Sequence, residues 1–162
     1  MAIYDCRFTI YDSSLYHLIP TFTLSLRTID ISNLTVILEQ QFPEILFAFI
    51  FGSAKDGSIR TGGDVDIAVW MNNPKIKMDL IPRLTGIMES ITQGSPCDLI
   101  LLNEAGSQLA FEALQGRLLF VRDEAMDLYS GFYTQTCREY EDTITWMKKQ
   151  LQYRGYEVQW DY

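Results

Sequence analysis

Gly52-Ser53, Asp64, Asp66 and Asp98 are the residues of this 162-residue chain whose types and spacing could do chemistry together. In an extended strand, Asp64 and Asp66 share one face while Val65, Ile67 and Val69 share the other. The two carboxylates then point the same way about 7 Å apart, from the rise per residue of a strand. Like charges that close are unfavourable unless a proton or a cation sits between them. A Gly-Ser turn nearby lets backbone amides approach a phosphate, because glycine has no Cβ. Gly-Ser alone is a commonplace turn, and Asp-x-Asp alone is usually a solvated strand end. Together they describe a phosphate cradle beside a metal site, which is the chemistry of nucleotidyl transfer.

The elements that must position these residues are legible in outline. Ile45 to Phe51 is an unbroken apolar run, short and rich in aromatic and branched residues. It reads as a central strand buried on both faces and ends at Gly52-Ser53. Before it, Asp30 or Ser32 can cap a helix whose apolar positions Ile31, Leu34 and Leu38 recur at helical spacing. After it, Ala54 to Ile59 is expected to form one short helical turn with its amides toward the phosphates. Gly62-Gly63 bends the chain into the Asp64 strand.

Asn72-Asn73-Pro74 is a loop and helix-start signal, and Leu80, Ile81, Leu84, Ile87, Met88 and Ile91 form one helical face. Pro82 is tolerated in a first turn, which puts the regular helix near Ile81 onward. Cys97 to Leu102 reads as a strand in which Asp98 shares a face with Ile100 and Leu102. A helix from about Glu104 to Gln115 follows, stopped by Gly116, and then a strand from Arg117 to Arg122. Asp123 can cap the last helix. Its stripe, Met126, Tyr129, Tyr133, Cys137, Tyr140, Ile144, Met147 and Leu151, repeats every three or four residues. Such a helix is roughly 40 Å long, more than a domain of this size needs for its own core. Gly131 is a point where it could break. The sequence leaves open whether the helix packs wholly on its own sheet or is shared with a partner.

Composition narrows the function further. The length fits one domain, and 48% hydrophobic with 21% charged residues is ordinary for a globular chain. A net charge of −8 argues against a polyanion as the main substrate, so no direct nucleic-acid binding is expected. A basic protein partner, or a nucleotide neutralised by metal, fits better. Cys6, Cys97 and Cys137 show no metal-ligand spacing and read as thiols of a reducing compartment. His17 is the one histidine and lies far from the motif, so no Ser-His-Asp or Cys-His system can be built there. No secretory signal or membrane-spanning run is visible, which makes a cytoplasmic location the expectation.

Gly-Ser, ten residues, then Asp-x-Asp resembles the signature of the DNA polymerase beta superfamily of nucleotidyltransferases. More closely, the chain is similar to the minimal nucleotidyltransferase (MNT) antitoxins of HEPN/MNT toxin–antitoxin pairs, over about Asp30 to Leu151. The resemblance implies an α+β fold, a small mixed sheet with helices packed mainly on one side. It divides the chain into an N-terminal extension, residues 1–27, and a single nucleotidyltransferase domain, residues 28–162, with a long C-terminal helix. Phe22, Leu24 and Leu26 alternate within the extension. That stretch reads equally as an added edge strand, a mobile arm or translated sequence upstream of the true start.

The resemblance further implies ATP as substrate, two Mg2+ ions, and AMP transfer to a tyrosine hydroxyl of a cognate HEPN-family ribonuclease toxin. Asp64 and Asp66 would hold both ions, and Asp98 would complete the one nearer the attacking hydroxyl. Gly52 and Ser53 would hold the β- and γ-phosphates. Many relatives carry an Arg just after the Gly-Ser pair, whereas here only Lys55 or Arg60 could supply that cation. Two other functions compete: nucleotidyl transfer to a small molecule, and a non-catalytic antitoxin that binds and blocks its toxin.

Overall fold

A computed structural model describes residues 27–73, 77–92 and 94–156. The element order is β1 (Arg27–Thr28), α1 (Ile31–Gln41), β2 (Ile45–Phe51), β3 (Ser58–Ile59), β4 (Val65–Met71), α2 (Lys77–Ile91), β5 (Cys97–Leu101), α3 (Ser107–Leu114), β6 (Arg117–Val121) and α4 (Met126–Tyr153). The expected alternation at Phe22 to Leu26, with His17 and Cys6, lies outside the described residues, as does Pro74.

The main sheet has the order β5-β4-β2-β6. β4 and β5 run parallel, whereas β2 is antiparallel to both β4 and β6. The sheet is therefore mixed, as expected for the α+β class. The four helices of the described residues divide between its two faces, two on each, rather than packing mainly on one side. Leu34 and Leu38 of α1 and Leu80, Leu84 and Met88 of α2 pack with Ala48, Ile50, Ile67 and Val69. Ala110 and Ala113 of α3, with Tyr129 and Phe132 of α4, pack with Phe47, Phe49 and Ala68. The division follows from β2, whose apolar side chains alternate toward both faces and leave neither fit for water. Outside this sheet, β1 and β3 form a two-stranded antiparallel pair that sequence periodicity did not reveal.

Asp30 caps α1, its carboxylate accepting from Asn33 N at 3.1 Å. Three other expectations are corrected. α2 is already helical at Lys77, so Pro82 lies inside it rather than in its first turn. Pro82 is exposed, which keeps the carbonyl left without its usual helical donor within reach of water. Asp123 does not cap α4 but opens a 3-10 turn, Asp123–Ala125, with no side-chain capping bond. Gly131 does not interrupt α4, which is continuous over 28 residues.

The packed face of α4 is also rotated from the expected stripe. Phe132 and Thr136 turn inward while Tyr133 is exposed. The Phe132 ring lies 5.4 Å from Phe47 and 5.2 Å from Trp70, and Tyr140 stacks on Phe111 of α3 at 3.8 Å. The C-terminal half leaves Trp146, Met147 and Tyr153 exposed. No helix of the described residues is long and apolar enough to cross a membrane.

Candidate active site

β2 ends directly in a three-residue 3-10 turn, Gly52–Ala54. The short helical turn expected over Ala54 to Ile59 thus begins at Gly52 itself, and its place is partly taken by β3. Gly52 has φ +64°, a conformation that L side chains rarely adopt. A Cβ there would collide with the Asp66 carboxylate, so the turn approaches this acid as closely as a backbone can. Ser53 follows in the same turn, exposed to solvent.

Asp64 immediately precedes β4 and Asp66 is its second residue. Parallel pairing sets Asp66 directly opposite Asp98 of β5. One carboxylate oxygen from each of Asp64, Asp66 and Asp98 lies within 4.8 Å of the others. Asp64 and Asp98 are exposed, Asp66 half-buried. Burial, then the charges of Asp64, Asp98 and Glu112, push the Asp66 carboxyl above the usual carboxylate range. Burial and the nearby Asp98 and Asp66 charges likewise push the Cys97 thiol up to about 12, so it stays a thiol at neutral pH.

The donor set fits a small hard divalent cation: it is all carboxylate oxygen, mutually repelling, and open to water on one side. Asp66 also borders a cleft of about 400 Å3, within the range of small-ligand pockets. Gly52 and Lys55 line the cleft near Asp66, whereas Leu109, Glu112 and Gln115 bring one face of α3 to it. Phe51 and Ile100 supply apolar wall. Of the two candidate cations, Lys55 borders this cleft. Arg60 lines a separate cavity with Arg27.

Glu112 and Gln115 were not singled out in the sequence. Their only signal is a spacing of three or four residues shared with Leu109 and Gly116, which marks one helical face without saying what that face meets. Gly116 borders the cleft because a Cβ there would strike Ile50 O and Phe51. The turn after α3 is thereby held hard against the end of β2.

Among solved structures, a mutant of the MntA–HepT toxin–antitoxin complex superposes with TM-score 0.59 at 18% identity, over 79% of this chain and 100% of that one. A toxin–antitoxin structure with AMP-PNP gives 0.56 at 18%, with 79% and 100% covered. A complex of the tri-AMPylated Shewanella oneidensis HEPN toxin with its MNT antitoxin gives 0.52 at 18%, with 78% and 97% covered. At such identities the likeness establishes a shared fold. No curated protein matches the chain by sequence comparison. The family profile described as Polymerase beta, Nucleotidyltransferase does match, over residues 32–125, more than half of the sequence. With the Gly-Ser turn and the three aspartates converging inside that span, the chain belongs to the polymerase beta nucleotidyltransferase family.

Proposed function

We propose that this protein is an Mg2+-dependent protein adenylyltransferase that moves AMP from ATP to a tyrosine hydroxyl of a cognate HEPN ribonuclease toxin, acting as its antitoxin in the cytoplasm. The observation that carries the reading is the convergence of Asp64, Asp66 and Asp98 within 4.8 Å beside a cleft lined by Gly52 and Lys55. The solved relatives point in the same direction: one holds AMP-PNP, and in another the HEPN toxin is AMPylated.

Asp64, Asp66 and Asp98 would hold Mg2+, two ions in this proposal. Bound there, the metal supplies charge stabilisation for the attacking and leaving oxygens of a displacement at phosphorus. Gly52, through its backbone amide, and the Ser53 hydroxyl bind the β- and γ-phosphates, with the Lys55 ammonium as the neutralising cation. The tyrosine oxygen forms a bond to the α-phosphorus while the bond from that phosphorus to the β-phosphate bridging oxygen breaks, and pyrophosphate leaves. Asp98 is the acceptor for the phenolic proton. The apolar wall of Phe51, Ile100 and Leu109 suits the nucleoside and thins the water around the reacting groups.

Incubating the purified toxin with ATP, Mg2+ and this protein tests the proposal. Mass spectrometry should find AMP on a toxin tyrosine with the wild type and none with Asp66→Asn. Unmodified toxin in both reactions would refute it.

A further inference from the structure

Two arginines sit together beside the aspartates of this strongly acidic chain. Arg27 in β1 and Arg60, just beyond β3, line a cavity of about 260 Å3 whose wall includes Gly63, Ser95 and Pro96. Arg27 pairs with Ile59, the residue before Arg60, and both arginines border the cavity. Arg27 Nη1 donates to the hydroxyl of buried Ser95 at 3.4 Å. Gly63 N donates to Arg60 O at 2.8 Å, which fixes the turn carrying Arg60 against the start of β4.

The parallel strands β4 and β5 both lead away from this cavity. Along one, the order is Gly63, Asp64, Asp66; along the other it is Pro96, Asp98, Ile100. The first residue of each series lines the arginine cavity and the last lines the cleft at Gly52 and Lys55. Asp64 and Asp98 therefore lie between two cavities that share no lining residue among the described ones, and Asp66 borders the second. Displacement at phosphorus requires the entering hydroxyl to approach opposite the leaving pyrophosphate. With the phosphates at Gly52 and Lys55, the entering group comes from the side of Arg27 and Arg60. An acidic segment arriving there meets three carboxylates that repel it and the exposed guanidinium of Arg60, whose planar fork matches a carboxylate, with the charge of Ser95-bound Arg27 at the same cavity.

We propose that the Arg27–Arg60 cavity is the acceptor subsite and takes the carboxylate side chains of an acidic segment flanking the acceptor tyrosine. This rests on the AMP transfer proposed above. The test measures initial rates of AMP incorporation into intact toxin for the wild type, Arg60→Gln and Arg27→Gln, varying toxin and ATP separately. Arg60 is exposed, so Arg60→Gln should melt with the wild type and remains informative even if Arg27→Gln loosens β1. Each variant should raise the KM for toxin about tenfold, as expected for a lost charged hydrogen bond. The KM for ATP and the inhibition by added pyrophosphate should not move. Replacing the acidic toxin residues beside the modified tyrosine with Gln should cost the wild type the same factor and Arg60→Gln little more. An unchanged KM for toxin in both variants, while the wild type transfers AMP, overturns the subsite alone. A raised KM for ATP or weakened pyrophosphate inhibition assigns the cavity to the nucleotide and overturns it too. A wild type that transfers no AMP contradicts the proposed function, and the subsite with it.

Discussion

Gly52 and Asp66 are packed so that the missing side chain of one is the space occupied by the carboxylate of the other. Gly52→Ala therefore strains a backbone at φ +64° and also pushes aside a proposed metal ligand. The strain alone costs about 1–2 kcal/mol. Gly155 has φ +83° with open space around its Cβ position, so Gly155→Ala carries the backbone penalty without the collision. Both variants should melt a few degrees lower. AMP transfer should fall about a hundredfold in Gly52→Ala, as for a reacting group misplaced by about 1 Å, and stay near wild type in Gly155→Ala. Steady-state rates beside thermal melts check this.

The raised pKa of Asp66 makes this side chain a cost to the metal-free fold. Between the ordinary aspartate pKa and the raised folded value, the unfolded chain has released a proton that the folded chain still holds. Stability from this group is thus intact below that window and is lost as the pH rises through it. Asp66→Asn should raise the metal-free melting temperature at neutral pH. Mg2+ or Mn2+ should stabilise the wild type above the window and leave Asp66→Asn unmoved. Calorimetric titration with ATP should show metal-dependent binding lost in Asp64→Asn and Asp66→Asn alike.

Arg122 ties the end of β6 to the end of α1. Its guanidinium donates to Ile45 O at 2.7 Å, Glu39 O at 2.6 Å and Phe42 O at 3.3 Å. Arg122→Ala removes the guanidinium bonds to Ile45 O and Glu39 O, while Phe42 O keeps its bond from Ile45 N at 3.0 Å, and should cost about 2–3 kcal/mol, read from urea denaturation. Lys cannot reproduce three directions with one ammonium, so Arg122→Lys should recover less than half of the loss.

Phe132 and Tyr133 are adjacent on α4 but face opposite environments. Phe132 packs on Phe47 and Trp70, whereas Tyr133 is exposed. Phe132→Ala should destabilise by about 3 kcal/mol. Tyr133→Ala should stay within about 0.5 kcal/mol of wild type.

That pair also marks where the sequence stops being legible. Helical spacing identifies α4, but Tyr133 and Phe132 fit the stripe equally well, and only the sheet's aromatic face chooses between them. Asp64, Asp66 and Asp98 were readable because strand periodicity fixes which side chains share a face, and a register of Asp66 opposite Asp98 completes the cluster. Glu112 and Gln115 reach the cleft through the docking of α3 on β2, a long-range relationship with no local signature. β3 is two residues long, too short for any period, and depends on its partner β1. Pro82 was misplaced because its rule concerns the missing donor, while the exposed face of α2 lets water satisfy the orphaned carbonyl.

The most direct test of the catalytic account is the ribonuclease activity of the proposed toxin partner after this protein has been removed. Toxin treated with the wild type, ATP and Mg2+, then repurified under denaturing conditions and refolded, should remain inactive beside an identically handled untreated control. Toxin treated with Asp66→Asn should bind that variant yet regain full activity on repurification. Loss of an aspartate proposed to hold the metal should remove several kcal/mol of transition-state stabilisation, about a thousandfold or more in rate. Toxin that recovers equally after both treatments, with Asp66→Asn protecting cells as well as the wild type, would contradict catalysis and leave an antitoxin that works by coverage alone.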